Sequence, residues 1–173
     1  VERSGTRLGF LPEWSFAVRP TAPVELRIEH TTGFSLNDRE LDVRQLGVER
    51  AFSHSFDAYL FVPGRYTVHR DDPYVAAEPS SVTVAEPGRS ASLTMDAVAT
   101  AEFTRLVSEA VHNKRDDCAT QRALYPSGCP FGYDVDDRIE GEPVWSILSY
   151  PPVTLVPGGE GWALEPTTFE ANI

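Results

Sequence analysis

The chain has 173 residues, with 26 acidic against 15 basic side chains and a formal net charge of −11. That balance argues against nucleic acid and anionic lipid as partners, because both present phosphate to a surface that would repel it. Hydrophobic residues make up 41% and aromatics 10%, which supports packed cores and excludes wholesale disorder. The longest apolar runs, Ala58 to Val62 among them, are far too short to cross a bilayer. The opening VERSGTRLGF is charged and has no apolar signal stretch, and it begins at Val1. This reads as an excised piece of a longer protein, with any signal or anchor lying outside it.

Fourteen prolines and twelve glycines punctuate short runs of β-branched and aromatic residues, a pattern that predicts strands separated by turns. Phe10, Leu11 and Trp14 either pack on the folded body or mark a linker. Ser15 to Val18 is expected as a short strand, ended by Arg19-Pro20. Val24 to Glu29 alternates strictly between apolar and charged side chains, which marks a half-buried strand. Phe56 to Val62 is the next strand, Pro63-Gly64 the turn, and Arg65 to His69 resumes the alternation. Asp71-Asp72-Pro73 predicts another turn, Ser81 to Val84 a strand, and Glu86-Pro87-Gly88 its end. In Ser90 to Met95, Ala91, Leu93 and Met95 face away from Ser90, Ser92 and Thr94. Regular spacing of this kind suggests a β-sandwich.

The period changes at Thr100. Phe103, Leu106, Val107, Ala110 and Val111, followed by Cys118, recur at helical spacing and predict an amphipathic helix over about 100–122. Thr100 is the expected N-cap, Glu102 suits the positive end of the dipole, and Lys114 and Arg115 lie toward the negative end. Pro126 and Gly128 forbid continuation. Strands are expected at Val144 to Tyr150 and Val153 to Val156, then Pro157-Gly158-Gly159 as a hairpin turn, Gly161 to Leu164, and Phe169 to Ile173. The switch near Ala97-Val98 predicts two domains, a β-sandwich over 1–97 and an α+β unit over 98–173.

Cys118 and Cys129 are the residues most informative about chemistry. A disulfide closing so short a loop would stabilise by roughly 2–3 kcal/mol and would imply an oxidising compartment. Free thiols and a metal or redox pair are the alternatives, although C-x-x-C is absent and zinc normally takes four ligands. His30, His54, His69 and His112 form neither H-E-x-x-H nor H-x-H, and each reads as an ordinary rim or surface residue. G-x-S-x-G is absent, so a catalytic serine has no sequence support. The acidic run with Asp134, Asp136 and Asp137 is a weak metal candidate. Counted from Asp134, the sixth position of a calcium loop would be Ile139 and the twelfth Trp145, both wrong for an EF-hand. Gly158-Gly159-Glu160-Gly161 lacks the helix and lysine of a phosphate loop and is explained by a hairpin. Nothing points to a cofactor.

Two stretches carry a resemblance. Phe56-Asp57-Ala58-Tyr59-Leu60-Phe61-Val62-Pro63-Gly64-Arg65-Tyr66-Thr67-Val68 resembles the strand-turn-strand of transthyretin-like and Ig-like sandwich modules, which are commonly extracellular spacers or adhesion units. Cys118-Ala119, Leu124 to Gly132, Pro143-Val144-Trp145 and Tyr150-Pro151 are similar to an extracytoplasmic segment of uncharacterised actinobacterial membrane-anchored proteins. The second resemblance covers about the C-terminal third. It implies location outside the cytoplasm and a disulfide, and no activity.

The expected fold is therefore mainly β with one long helix: an Ig-like or transthyretin-like sandwich followed by a small α+β unit, NTF2-like if the helix curls on a twisted sheet. The expected function is a non-enzymatic binding or spacer module at the cell envelope, with a protein or small ligand as partner. Phe103, Leu106, Val107, Val111, Trp145 and Trp162 are the candidate pocket residues, or plain core if the unit is solid. The competing expectations are a hydrolase using a carboxylate and a histidine, and a purely structural stalk or assembly domain with no pocket and an exposed apolar patch.

Overall fold

A computed structural model describes residues 1–47, 52–138 and 140–173. Strand accounts for 43% and helix for 14%, so the protein is mainly β, with one α-helix among the described residues. The chain divides into two compact units. One is Val1–Val98 with Gly159–Gly161, and the other is Ala99–Gly158 with Trp162–Ile173.

The first unit opens with a hairpin of β1 (Glu2–Arg7) and β2 (Leu11–Ser15), paired antiparallel. Strand formation thus precedes the expected Ser15–Val18 segment. The cause is the turn: Arg7 pairs with Leu11, and in the three-residue loop between them Leu8 and Gly9 both have positive φ, 56° and 78°, which reverses the chain. Phe10 and Trp14, expected to pack or to link, are 74% and 62% exposed.

The sandwich proper follows. β3 (Thr21–Glu29) pairs antiparallel with β6 (Ser53–Phe61) and parallel with β9 (Ala91–Asp96), giving a three-stranded sheet in the order β6-β3-β9. A second sheet runs β8-β7-β4-β5, from β4 (Gly33–Leu36), β5 (Arg39–Asp42), β7 (Gly64–Asp71) and β8 (Val75–Val84). Val98 of the two-residue β10 (Val98–Ala99) extends it beside β8. A short 3-10 helix at Val43–Leu46 follows β5. Alternation in β3 puts Val24, Leu26 and Ile28 inside and Glu25, Arg27 and Glu29 outside, as a period of two demands. β9 contributes Leu93 and Met95, β4 Phe34, β7 Val68 and β8 Val84 to the same core, so the inner faces of both sheets share one apolar layer.

The β6–β7 turn shows why its residues are chosen. The Tyr66 hydroxyl donates to the Phe61 carbonyl at 2.8 Å. A Cβ on Gly64 would stand 2.7 Å from the Tyr66 ring and 2.9 Å from the Phe61 carbonyl oxygen, so only glycine lets the ring fold over the turn.

In the second unit α1 spans Ala101–Ala119, three residues short of the expected end. Thr100 caps it, its hydroxyl accepting from the Phe103 amide at 3.2 Å. Two ribbons complete the unit. β11 (Ser146–Ile147) pairs with β14 (Ala171–Asn172), and β12 (Leu155–Pro157) pairs with β13 (Trp162–Leu164) across the proline-glycine turn. The long strand expected at Val144–Tyr150 is reduced to two residues, because its partner β14 is itself only two residues long.

Candidate functional site

Cys118, buried on the last turn of α1, is joined to Cys129 by a disulfide with the α-carbons 5.8 Å apart. The loop it closes is also held from inside. The Gln121 side chain accepts from the Ser127 amide at 2.7 Å and donates to the Ser127 carbonyl at 3.2 Å. The Ala123 carbonyl in the same loop accepts from the Trp145 indole at 2.8 Å. The bridge thereby fixes the backbone that orients Trp145.

Trp145 is 7% exposed and begins an aromatic cluster. Phe131 tilts against it with ring centroids 4.8 Å apart, and Phe169 meets Phe131 edge-on at 5.9 Å. Arg115 projects from α1 onto this cluster, its guanidinium carbon 4.3 Å from the Phe169 ring centre. Arg115 lies toward the C-terminal end of α1 as expected, yet its side chain is only 7% exposed and its Nη1 is buried without a hydrogen-bond partner. The helical period predicted which face turns inward, but charge alone did not reveal that this arginine lies on it.

Beside the cluster is a cavity of about 260 Å³, walled by Phe131, Trp145 and Phe169 and edged by Tyr133, Ala171 and Asn172. Of the six candidate pocket residues, only Trp145 lines it. Phe103, Leu106, Val107 and Val111 stay on the helix stripe, half-buried or, for Leu106, 37% exposed, and Trp162 is half-buried in β13. The cavity opens between the 130–133 segment and β14 rather than under the helix. Phe131 and Phe169, which the sequence reading did not single out, lie in segments without regular structure, where periodicity carries no signal.

His112, expected as an ordinary rim or surface residue, packs against a neighbouring ring. Its ring is half-buried, stands edge-on to Tyr150 at 5.0 Å, and has a buried Nε2 without a hydrogen-bond partner. Tyr150 donates to Asp116, one turn beyond His112, and that bond, followed by burial and the carboxylate charge, raises the phenol above its ordinary pKa. Asp116 is exposed. His69 lies within β7 opposite Ser35.

Asp134 accepts from the Tyr125 hydroxyl, while Asp136 and Asp137 are exposed in a bend; Ile139 lies outside the described residues. Among the described residues, the grouping of three close donors able to hold a metal ion is a different one, Glu29, His30 and Asp96 in the sandwich. No helix is long and apolar enough to cross a membrane among the described residues.

No family model matches this chain, and no curated protein or solved structure matches it.

Proposed function

We propose that the chain is a non-enzymatic, extracytoplasmic binding module of a cell-envelope protein, and that its ligand is a small molecule with an apolar body of single-ring size. The observation that carries this reading is the cavity of about 260 Å³ walled by three aromatic rings. Aromatic faces of this kind pack against a ligand ring in offset or edge-on geometry. Tyr133 and Asn172, which also line the cavity, carry polar groups of the kind that orient such ligands. The disulfide supports the address, because such bridges persist where thiols are oxidised. The hydroxyl bond of Tyr66 over the Pro63-Gly64 turn supports assigning the sandwich to the Ig-like or transthyretin-like modules. The NTF2-like reading of the second unit has the support of a single helix accompanied by short antiparallel ribbons.

Ligand-observed saturation-transfer NMR with p-cresol and with cyclohexanol tests the cavity. Transfer to at least one probe is expected, with loss in Ala171→Leu, whose added side chain fills the space. No transfer, or transfer indifferent to Ala171→Leu, overturns the reading.

An assembly role is the second reading, favoured by one observation. The N-terminal hairpin exposes Leu8 (77%), Phe10 (74%) and Trp14 (62%), and Phe16 beyond it is 62% exposed. On this reading the chain self-associates, and sedimentation shows a concentration-dependent coefficient that Trp14→Ser with Phe16→Ser abolishes. A constant monomeric coefficient rejects it.

A further inference from the structure

The outer face of the three-stranded sheet ends in a cluster that neither the cavity nor the disulfide uses. Parallel pairing sets Glu29, the last residue of β3, directly beside Asp96, the last residue of β9. Both carboxylates are on the solvent side of their strands. Like charges at a paired position repel, so this register is costly unless a positive group stands between them. His30 follows immediately, and its Nδ1 donates to Asp96 Oδ1 at 2.7 Å. The imidazole ring also lies 5.4 Å from the Phe52 ring, and the His30 backbone amide donates to the Ser53 hydroxyl at 3.3 Å, which ties the main chain at this position to β6. One nitrogen and two carboxylate oxygens thus lie within 4.8 Å of one another.

We propose that Glu29, His30 and Asp96 form a binding site for a first-row divalent cation of the zinc class. The donor chemistry decides the class. Imidazole suits zinc and its neighbours, whereas magnesium and calcium take oxygen alone. Zinc holds nitrogen and oxygen donors at about 2.0–2.2 Å, so the ion separates His30 Nδ1 from Asp96 Oδ1, now 2.7 Å apart, and draws the more distant donors inward, movements made by rotation of the exposed Asp96 and the half-buried Glu29 side chains. On binding, the metal takes the place of the Nδ1 proton, and a neutral ring then carries its proton on Nε2. Three protein ligands leave one position of a tetrahedral ion for water or for a donor from a partner. The ion bridges the ends of β3 and β9 and cancels the repulsion between Glu29 and Asp96.

Titration of the full chain with zinc chloride, followed by calorimetry and by the ¹⁵N shifts of the imidazoles, tests the site. One ion per chain is expected, with the Nδ1 resonance of His30 moving and its proton shifting to Nε2. His30→Asn and Asp96→Asn should each weaken binding at least tenfold, and His54→Ala should leave it unchanged. Asparagine is the replacement at position 30 because His30 has φ of 61°, a region asparagine tolerates. Absence of binding, binding that survives His30→Asn, or shifts confined to His54, His69 or His112 would overturn the proposal. So would calcium chloride binding as tightly as zinc. The shifts are read on the unaltered chain, so an unfolded variant leaves the test intact.

Discussion

Replacing both Cys118 and Cys129 by alanine is expected to cost about 2–3 kcal/mol and to melt the second unit at markedly lower denaturant. The bridge joins residues separated by 11 positions in sequence, and a cross-link stabilises mainly by denying the unfolded chain its freedom. What makes the loss large in effect is how little else holds this unit. Among its described residues, Cys118 and Trp145 are the buried hydrophobic side chains, whereas the sandwich has a core of twelve buried residues. Units with small cores depend on such staples. The loop also carries the Ala123 carbonyl that holds the Trp145 indole, so loosening the loop releases a cavity wall. Near-UV circular dichroism and p-cresol binding should therefore both collapse in the double-alanine chain at denaturant concentrations the parent tolerates. An unchanged denaturation midpoint would show that the bridge is incidental. Alkylation of the natively exported, unreduced protein provides the companion measurement of address: both thiols should stay unlabelled, and labelling of both would remove the argument for an oxidising compartment.

How far the structure was legible depended on whether a residue's role is local. β3 and β9 were readable because each alternates for six residues or more between a buried and a solvated face. The helix was readable because its stripe and its Thr100 cap agree, but its end was not, since it stops at Ala119, well before Pro126. β4 and β5 were not anticipated: each is four residues long, and their two-residue link places Asn37 at φ of 52°, a turn without a glycine to announce it. The cavity was missed in most of its residues for a related reason. Phe131 and Phe169 are brought together by the disulfide loop and a two-residue ribbon, and neither element repeats anything along the chain. The burial of Arg115 was not read, because a charged residue near a helix end suggests only an interaction with the dipole, although position 115 falls close to the same stripe as Val111 and Cys118. The Glu29, His30 and Asp96 cluster could emerge only from the parallel register of β3 with β9, which joins residues 67 positions apart. His30 by itself looked like an ordinary strand-end histidine.

Phe34→Ala is the substitution expected to cost most, about 3–5 kcal/mol. Its ring is fully buried, and it packs at 6.3 Å, tilted, against Phe56 from the opposite sheet. Burial of a ring of about 150–250 Å² at about 25 cal/mol per Å² sets the upper scale of its contribution. Truncation also leaves a void, because β4 is pinned on both sides, by β5 and by β7, and cannot sink inward to fill it. A small domain has about 5–15 kcal/mol in total, so the variant should lose a large share of the sandwich's stability. Tyr59→Ala is the matched control. It removes a ring of similar size from the outer face of β6, where Tyr59 is 72% exposed, and should change stability by no more than about 0.5 kcal/mol. Urea denaturation of the two variants against the parent separates the readings. Comparable losses for both would mean that the inner faces of β3, β4 and β6 do not form the layer described, and the sandwich register would then have to be redrawn.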